Sequence, residues 1–337
     1  MASPELVSEI PKRMLAARMV GLKKFEFGDI PVPRPGPRQI LVRIERVGVC
    51  GSDRGIWAGR HFYNDLYRWQ DFGWGEHGHE ISGVVMEVGE DVEGIQIGHH
   101  VAALPMRGWA QYLAATVSSP GGPPRGLSPV CAPGADLDMI CFADPLMVAL
   151  RHVEAARVYP GDTVAVLGQG FIGLLVTQLL VQQHIRVLAT DVREKCLAHA
   201  KRFGAETLVA GDPDWIRKIT DMGQGQIRSV IECSGADASL YHAGDIVAAD
   251  GTVVVMGATR KEIKMHYTPL RMKGIDVRFP ARGARDWWGP AVRILADGGV
   301  EAASLIDHRA PLDKLQETFE NWDPGWIKVV VHPHGVT

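Results

Sequence analysis

VAVLGQGFIGLL, residues 164–175, runs from an apolar strand-like segment through three glycines into an apolar helix-like one. Gly168, Gly170 and Gly173 are spaced as GxGxxG. Each has its own task in such a setting: a tight turn at Gly168, close backbone approach to a pyrophosphate at Gly170, and close helix packing at Gly173. The helix that opens at Phe171 and Ile172 presents unpaired N–H groups and partial positive charge to the phosphates. Eighteen residues after Gly173, Asp191 ends the run RVLAT. A carboxylate there accepts both ribose hydroxyls of an adenosine and repels a 2′-phosphate, so NAD is expected over NADP. Arg186 and Arg193 stand nearby and lessen that preference without reversing it. A glycine turn with a capping aspartate and no ligand is the plainer alternative.

Outward from this stretch, the rhythm from about residue 146 alternates strand and helix: TVAVLG, FIGLLVTQLLVQQH, RVLATDV, EKCLAHAKRFG, SVIECSG and TVVVMG follow in turn. Such βαβ alternation implies a parallel sheet covered on both faces, an α/β fold. The first third reads differently. QILVRIERVGV and ISGVVMEVGEDV alternate as half-buried strands, with Gly, Pro and Asp between them, and predict a mostly antiparallel domain. SSPGGPPRGLSP, residues 118–129, has too few apolar groups for a regular element and reads as a surface loop. The last third, with WWGPAVRILADGGV and WIKVVVHP, leaves the βαβ period and is expected to return to the first domain.

With 337 residues, two domains are the first expectation. A net charge of −3, with the basic residues scattered, leaves no electrostatic footprint for nucleic acid and points to small-molecule partners. No run of eighteen apolar residues occurs, and the opening segment lacks the apolar stretch of a signal peptide, so the expectation is a cytoplasmic protein away from the membrane. The five cysteines are widely spaced, with no CxxC pair, which argues against a disulfide framework.

GEHGHEISG, residues 75–83, packs two histidines and two carboxylates among three glycines. In extended backbone a histidine and its neighbouring glutamate face apart, so adjacent residues here are not simply two ligands of one ion. Cys50, in GVCGSD, lies 29 residues before His79 and is followed by Ser52 and Asp53. A thiolate, an imidazole and a carboxylate suit zinc, and a catalytic zinc site needs three protein ligands and an open position.

GVCGSD, GHEISGVV, GQGFIG and WIKVVVHP together resemble the zinc-dependent medium-chain alcohol dehydrogenases, especially their polyol, threonine and glucose dehydrogenase branch. The likeness runs from PVPRPGPRQILVRI to the carboxyl end. It implies a GroES-like catalytic domain of residues 1–145 and 283–337 enclosing a Rossmann domain of residues 146–282. It also implies hydride transfer between an alcohol or sugar-like substrate and NAD in the cleft between them. Cys50 and His79 match the zinc ligands, which makes His77 a neighbour lining the cleft. Glu80 matches a glutamate beside the metal that can enter its coordination shell. Asp144 matches the position of a third, acidic ligand, while as Asp before Pro it is equally a helix N-cap. Ser52 matches the hydroxyl that takes the alcohol proton, and Asp53 the carboxylate that orients the zinc histidine.

Two departures from that family stand out. Gly55 occupies the place of a histidine that relays the proton to solvent in many relatives, which leaves water or His61 to replace it. The four-cysteine lobe that holds a structural zinc is absent, so one zinc per chain is expected. The segment 54–75 carries Trp57, Trp69 and Trp74, interleaved with Arg54, Arg60 and Arg68; it is either a wall of the substrate cleft or core packing. The resemblance further implies a homodimer or homotetramer. A zinc-free double-bond reductase and a non-catalytic cofactor sensor are the alternatives, and the joint presence of Cys50, His79 and Asp53 opposes both.

Overall fold

The computed structural model describes residues 9–60, 64, 69, 72–104, 106–117, 129–257, 262–280 and 285–336. The chain divides into two compact units, Met1–Asp144 with Trp288–Thr337, and Pro145–Trp287.

The first unit opens with the antiparallel pair β1 (Arg13–Gly21) and β2 (Lys24–Pro31). Its main sheet contains β3 (Gln39–Gly48), β4 (Glu80–Val88), β5 (His100–Ala103), β6 (Tyr112–Thr116) and β7 (Val130–Cys131). β3 shows why this region is all strand. Ile40, Val42 and Ile44 stand on alternate positions and are fully buried in a core shared with Ile81, Val85, Val101 and Leu113, which Val47 joins after a register shift between Ile44 and Arg46. Leu41 faces the other way, into a second cluster with Met14, Ala16 and Met86. Burial on both faces fixes the register, because a slip of one residue would turn every side chain over.

The second unit holds β8 (Thr163–Leu167), β9 (Arg186–Asp191), β10 (Glu206–Val209), β11 (Ile227–Glu232), β12 (Thr252–Val255) and β13 (Asp276–Arg278). They form one parallel sheet in the order β10-β9-β8-β11-β12-β13. The near-continuous apolar runs of β8 and β12, TVAVL and TVVV, are those of parallel strands buried on both faces. Strand order reverses between β8 and β11, and ligands of doubly wound sheets bind outside the carboxyl ends of the strands at such a point.

The chain then returns to the first unit through β14 (Ile306–Pro311) and β15 (Lys328–His332). β14 and β15 run parallel, and the remaining pairs of this sheet are antiparallel, giving the order β14-β15-β3-β4-β5-β7 with β6 paired to β3. The fold is α/β, an antiparallel-rich sheet unit and a doubly wound parallel one. All five residues of β15 are buried, Lys328 among them. Of the segment 118–129, residues 118–128 lie outside the described residues. No helix among the described residues is long and apolar enough to cross a membrane.

Candidate metal centre and dinucleotide loop

β8 runs into the glycine turn, and helix Phe171–Gln182 begins at its end with Gly170 as N-cap. Gly168 has φ +94, in the left-handed region that favours glycine, and a Cβ there would lie 2.7 Å from Ser234 Cβ. A Cβ on Gly173 would stand 2.0 Å from the Gly168 carbonyl oxygen. Gly170 is different: its Cβ would meet only the Arg193 guanidinium, at 3.9 Å. The first and third glycines are thus demanded by the fold, while the second leaves open space beside the first turn of a helix, where a pyrophosphate fits.

Asp191 ends β9 and is 7% exposed. Its Oδ2 accepts the Gln169 N–H at 2.7 Å, and its Oδ1 accepts the Arg193 N–H at 2.9 Å. The Arg193 guanidinium pairs with the same carboxylate at 3.1 Å, which offsets part of its charge. Gln169, to which the sequence reading assigned no role, is fully buried. Its side chain bonds Val166 O and the Thr177 hydroxyl, and so fixes the turn against the helix.

In the first unit, Cys50, His79 and Glu80 bring one ligand atom each to within 4.8 Å of one another. The alternation expected from extended backbone is overturned here. Gly75, His77 and Gly78 have φ of +81, +66 and +69, and the strand begins only at Glu80, so two adjacent residues can serve one point. Gly78 tolerates no Cβ, which would lie 2.8 Å from the Trp109 ring.

Cys50 is the N-cap residue of helix Gly51–Trp57. Asp53, in the first turn of that helix and wholly buried, accepts the Cys50 N–H at 2.9 Å and the Gly78 N–H at 3.3 Å, tying the thiol segment to the histidine segment. Asp53 Oδ1 lies 3.7 Å from His79 Nδ1, and Asp144 Oδ2 lies 3.6 Å from His79 Nε2. Both distances are too long for hydrogen bonds, and both ring nitrogens of His79 are buried without a partner. A buried polar atom in that condition costs about 1–3 kcal/mol. Burial opposes a charged imidazole, yet Asp53, Cys50 and Asp144 outweigh it and hold the His79 pKa well above the usual histidine range. The S, N and O donors that Cys50, His79 and Glu80 bring together, around an imidazole with neither ring nitrogen hydrogen-bonded, fit zinc.

Glu80 is 1% exposed, opposite Gly48 in the β3–β4 ladder. A Cβ on Gly48 would fall 2.1 Å from Glu80 Oε2, so only glycine leaves that carboxylate its place. Burial pushes the Glu80 carboxyl up, while Lys328, whose Nζ lies 2.5 Å from Oε2, pulls it down. Lys328 is the principal residue that sequence reading missed. The available signal was a single charge at the head of the apolar run KVVV.

The aromatic segment, open in sequence between a cleft wall and core packing, is packed at two of its tryptophans. Trp57 is 8% exposed in the core, with its ring 5.6 Å from that of Phe319, and Arg54 lies over Trp322 at 4.0 Å. Trp74 packs against the second core cluster, beneath Arg18 and over Gly28. Area burial accounts for Trp57 and Trp74. His77 is 5% exposed, edge-on to Phe72 at 4.5 Å, and burial lowers its pKa. His61 and Arg68 lie outside the described residues. Ser52 is half-buried in the helix headed by Cys50.

Comparison with known proteins agrees with this chemistry. Residues 36–122 match the family model for the alcohol dehydrogenase GroES-like domain, and residues 172–297 the one for zinc-binding dehydrogenases. Sorbitol dehydrogenase of Ovis aries is 27% identical over 90% of this chain and 92% of its own. L-Arabinitol 4-dehydrogenase of Aureobasidium melanogenum is 28% identical over 88% of this chain and 87% of its own. The crystal structure of 2R,3R-butanediol dehydrogenase from Bacillus subtilis shares the fold, with a TM-score of 0.81 at 22% identity over 95% of this chain and 99% of that one. Taken with the Cys50, His79 and Glu80 cluster, these matches place the chain in the zinc-dependent medium-chain alcohol dehydrogenase family, on its polyol dehydrogenase-like branch.

Proposed function

We propose that this chain passes hydride between a secondary alcohol of polyol or sugar-like kind, or its carbonyl form, and NAD. The observation that carries the reading is the convergence of Cys50, His79 and Glu80 in a chain whose other unit bears a glycine loop at the switch point of a parallel sheet. Zinc held by Cys50 and His79, with Asp144 or Glu80 as the acidic ligand, would polarise the substrate oxygen as a Lewis acid. Ser52, two residues after Cys50, receives the hydroxyl proton. Gly55 cannot relay it, so water beside the helix carries it onward. Asp53 orients His79 from the Nδ1 side.

Residues 1–145 and 283–337 form the catalytic domain in this reading, and residues 146–282 the cofactor domain. Gly168, Gly170 and Gly173, with the N–H groups of Phe171 and Ile172, take the pyrophosphate, and Asp191 the adenosine ribose. Arg193 shares that carboxylate, so the preference for NAD over NADP is modest. Among the described residues β13 is the last strand of its sheet, and its outer edge is the surface this reading gives to a second copy in a homodimer or homotetramer. The protein acts in the cytoplasm, with neither nucleic acid nor membrane as partner.

The test is oxidation of a set of polyols, sugars and aminoalcohols by the full chain with NAD and with NADP, alongside elemental analysis. One zinc per chain and faster turnover with NAD are expected, and Ser52→Ala should lower turnover about 10²-fold while retaining zinc. Full activity in the metal-free chain, or turnover of nothing by the zinc-loaded chain, overturns the reading.

A further inference from the structure

Arg54 is a charge without a counterpart. Its N–H bonds the Cys50 carbonyl at 3.4 Å, so it stands one turn, about 5.4 Å, beyond Cys50 on the same side of the helix that Cys50 caps. Its guanidinium lies over the Trp322 ring at 4.0 Å, and that ring is held edge-on by Trp326 at 5.5 Å and Phe319 at 6.2 Å. The side chain is half-buried, and burial, with Arg60 adding its repulsion, lowers its pKa. Other guanidinia of this unit face carboxylates: Arg18 meets Glu26, Arg43 meets Glu45, and Arg46 and Arg309 share Asp138. Among the described residues no carboxylate or carbonyl accepts from the Arg54 guanidinium. The indole covers one face of the group and leaves its edge of N–H donors, a planar fork that matches a carboxylate or a phosphate. A cation drawn partly out of water is costly until an anion meets it.

Building on the hydride-transfer reading above, we propose that Arg54 is a specificity-determining residue that grips an anionic group of the substrate, so that the alcohol oxidised belongs to a sugar acid or a sugar phosphate. The anion takes no part in the chemistry. Held one helical turn from Cys50, it sets which hydroxyl of the carbon chain reaches the candidate metal position. Trp322 keeps the guanidinium in place before the substrate arrives, so little order is left to impose on binding.

The probes share one carbon chain and differ at its end: sorbitol, gluconate and sorbitol 6-phosphate. Calorimetric titration of the full zinc-loaded chain, without dinucleotide, should show both charged compounds binding about tenfold or more tighter than sorbitol, the scale of a charge-assisted hydrogen bond. Arg54→Gln should erase that difference. Arg54→Lys, which keeps the charge and loses the planar fork, should retain only part of it. Equal binding of the three probes by the unsubstituted chain overturns the proposal, as does a preference that survives in Arg54→Gln, which would put the anion on the metal instead. The phosphates of the dinucleotide are a second source of the same chemistry, so NADH is titrated alongside. A loss of NADH affinity in Arg54→Gln as large as the loss for gluconate overturns the assignment to substrate. If Arg54→Gln does not fold, Arg54→Lys decides, since an undiminished preference there leaves the guanidinium fork no role. Binding of the charged probes through Arg54 by a chain that oxidises no alcohol would uphold the anion grip and overturn the hydride-transfer reading alone.

Discussion

The glycine loop of the second unit and the candidate metal cluster of the first are assembled in opposite ways. The loop is built from consecutive residues, and its shape is set by backbone: Gly168 by its positive φ, Gly173 by the carbonyl its Cβ would strike. The cluster is built from Cys50, from His79 and Glu80, from Asp144 and from Lys328, which meet only through the sheet register and the loops before β4. A local site is sensitive to atoms added to the backbone. A distributed one is sensitive to charge left without its counterpart.

The sharpest way to test that contrast is Cys50→Ser. Serine is at least as good an N-cap as cysteine, so the helix it heads should persist, with unfolding unchanged within about 1 kcal/mol. Zinc should be lost on dialysis, and turnover should fall by more than about 10²-fold, as expected when a Lewis acid worth several kcal/mol is removed. Retained zinc with retained turnover would remove Cys50 from the ligand set.

Within the loop, the glycines should separate folding from binding. Gly170→Ala meets nothing nearer than 3.9 Å in the protein, so its stability should change by about 1 kcal/mol or less. Dinucleotide binding should weaken by about tenfold or more, equivalent to about 1.4 kcal/mol. Gly173→Ala collides with backbone and should destabilise the second unit by about 1–3 kcal/mol. Calorimetry and denaturant titration of the two variants read both quantities. Equal losses of stability would show that the loop serves packing alone.

The metal site should also reveal itself through protons. His79 is held well above the usual histidine pKa, despite burial, by Asp53, Cys50 and Asp144, so zinc must displace a proton near neutrality. Apparent zinc affinity should therefore rise with pH, by about tenfold per unit for one displaced proton, until His79 is deprotonated in the metal-free chain. Chelator competition between about pH 6 and 8 measures the slope. A flat profile across that range would mean that the carboxylates do not hold a proton on His79.

The smallest effect lies away from both sites. His332 and His334 are lowered to about 4, by burial first, with Arg46 acting on His332 and Arg43 on His334 in the same direction. Unfolding lets them return to the ordinary value of 6.5, so below that pH the unfolded chain binds more protons than the folded one. Their contribution is intact above about pH 6.5 and is lost progressively toward pH 4. The gap in unfolding midpoint between the original chain and a variant with glutamine at both positions should change steadily as pH falls from about 6.5 to 4, because every other titrating group is common to the two.

How far each site could be read from residues follows the same division. The GxGxxG spacing and Asp191 were visible because strand, turn and helix lie in one stretch, where period and glycine geometry apply directly. Side-chain chemistry marked Cys50 and the two histidines of 75–83 as candidate donors, and only the family resemblance chose His79 over His77. What the residues misread or left open shares one cause. Alternation along 75–80 fails because three residues with positive φ break the strand before Glu80, and an apolar or aromatic pattern does not say which neighbour buries it. Trp57 and Trp74 turned out to be packed rings for that reason.

By itself the sequence determined the α/β fold with an antiparallel-rich sheet, the glycine turn and the donor types that make zinc chemistry available, since these depend on local conformational preference and on functional groups. Only the tertiary structure decided what each charge faces. Register set Glu80 against Gly48, and β15, arriving from the far end of the chain, brought Lys328 beside that carboxylate. The energy of a charge depends on its distance to other charges and on how much water remains near it. Neither quantity is encoded in a residue and its chain neighbours, because both are properties of the packed molecule.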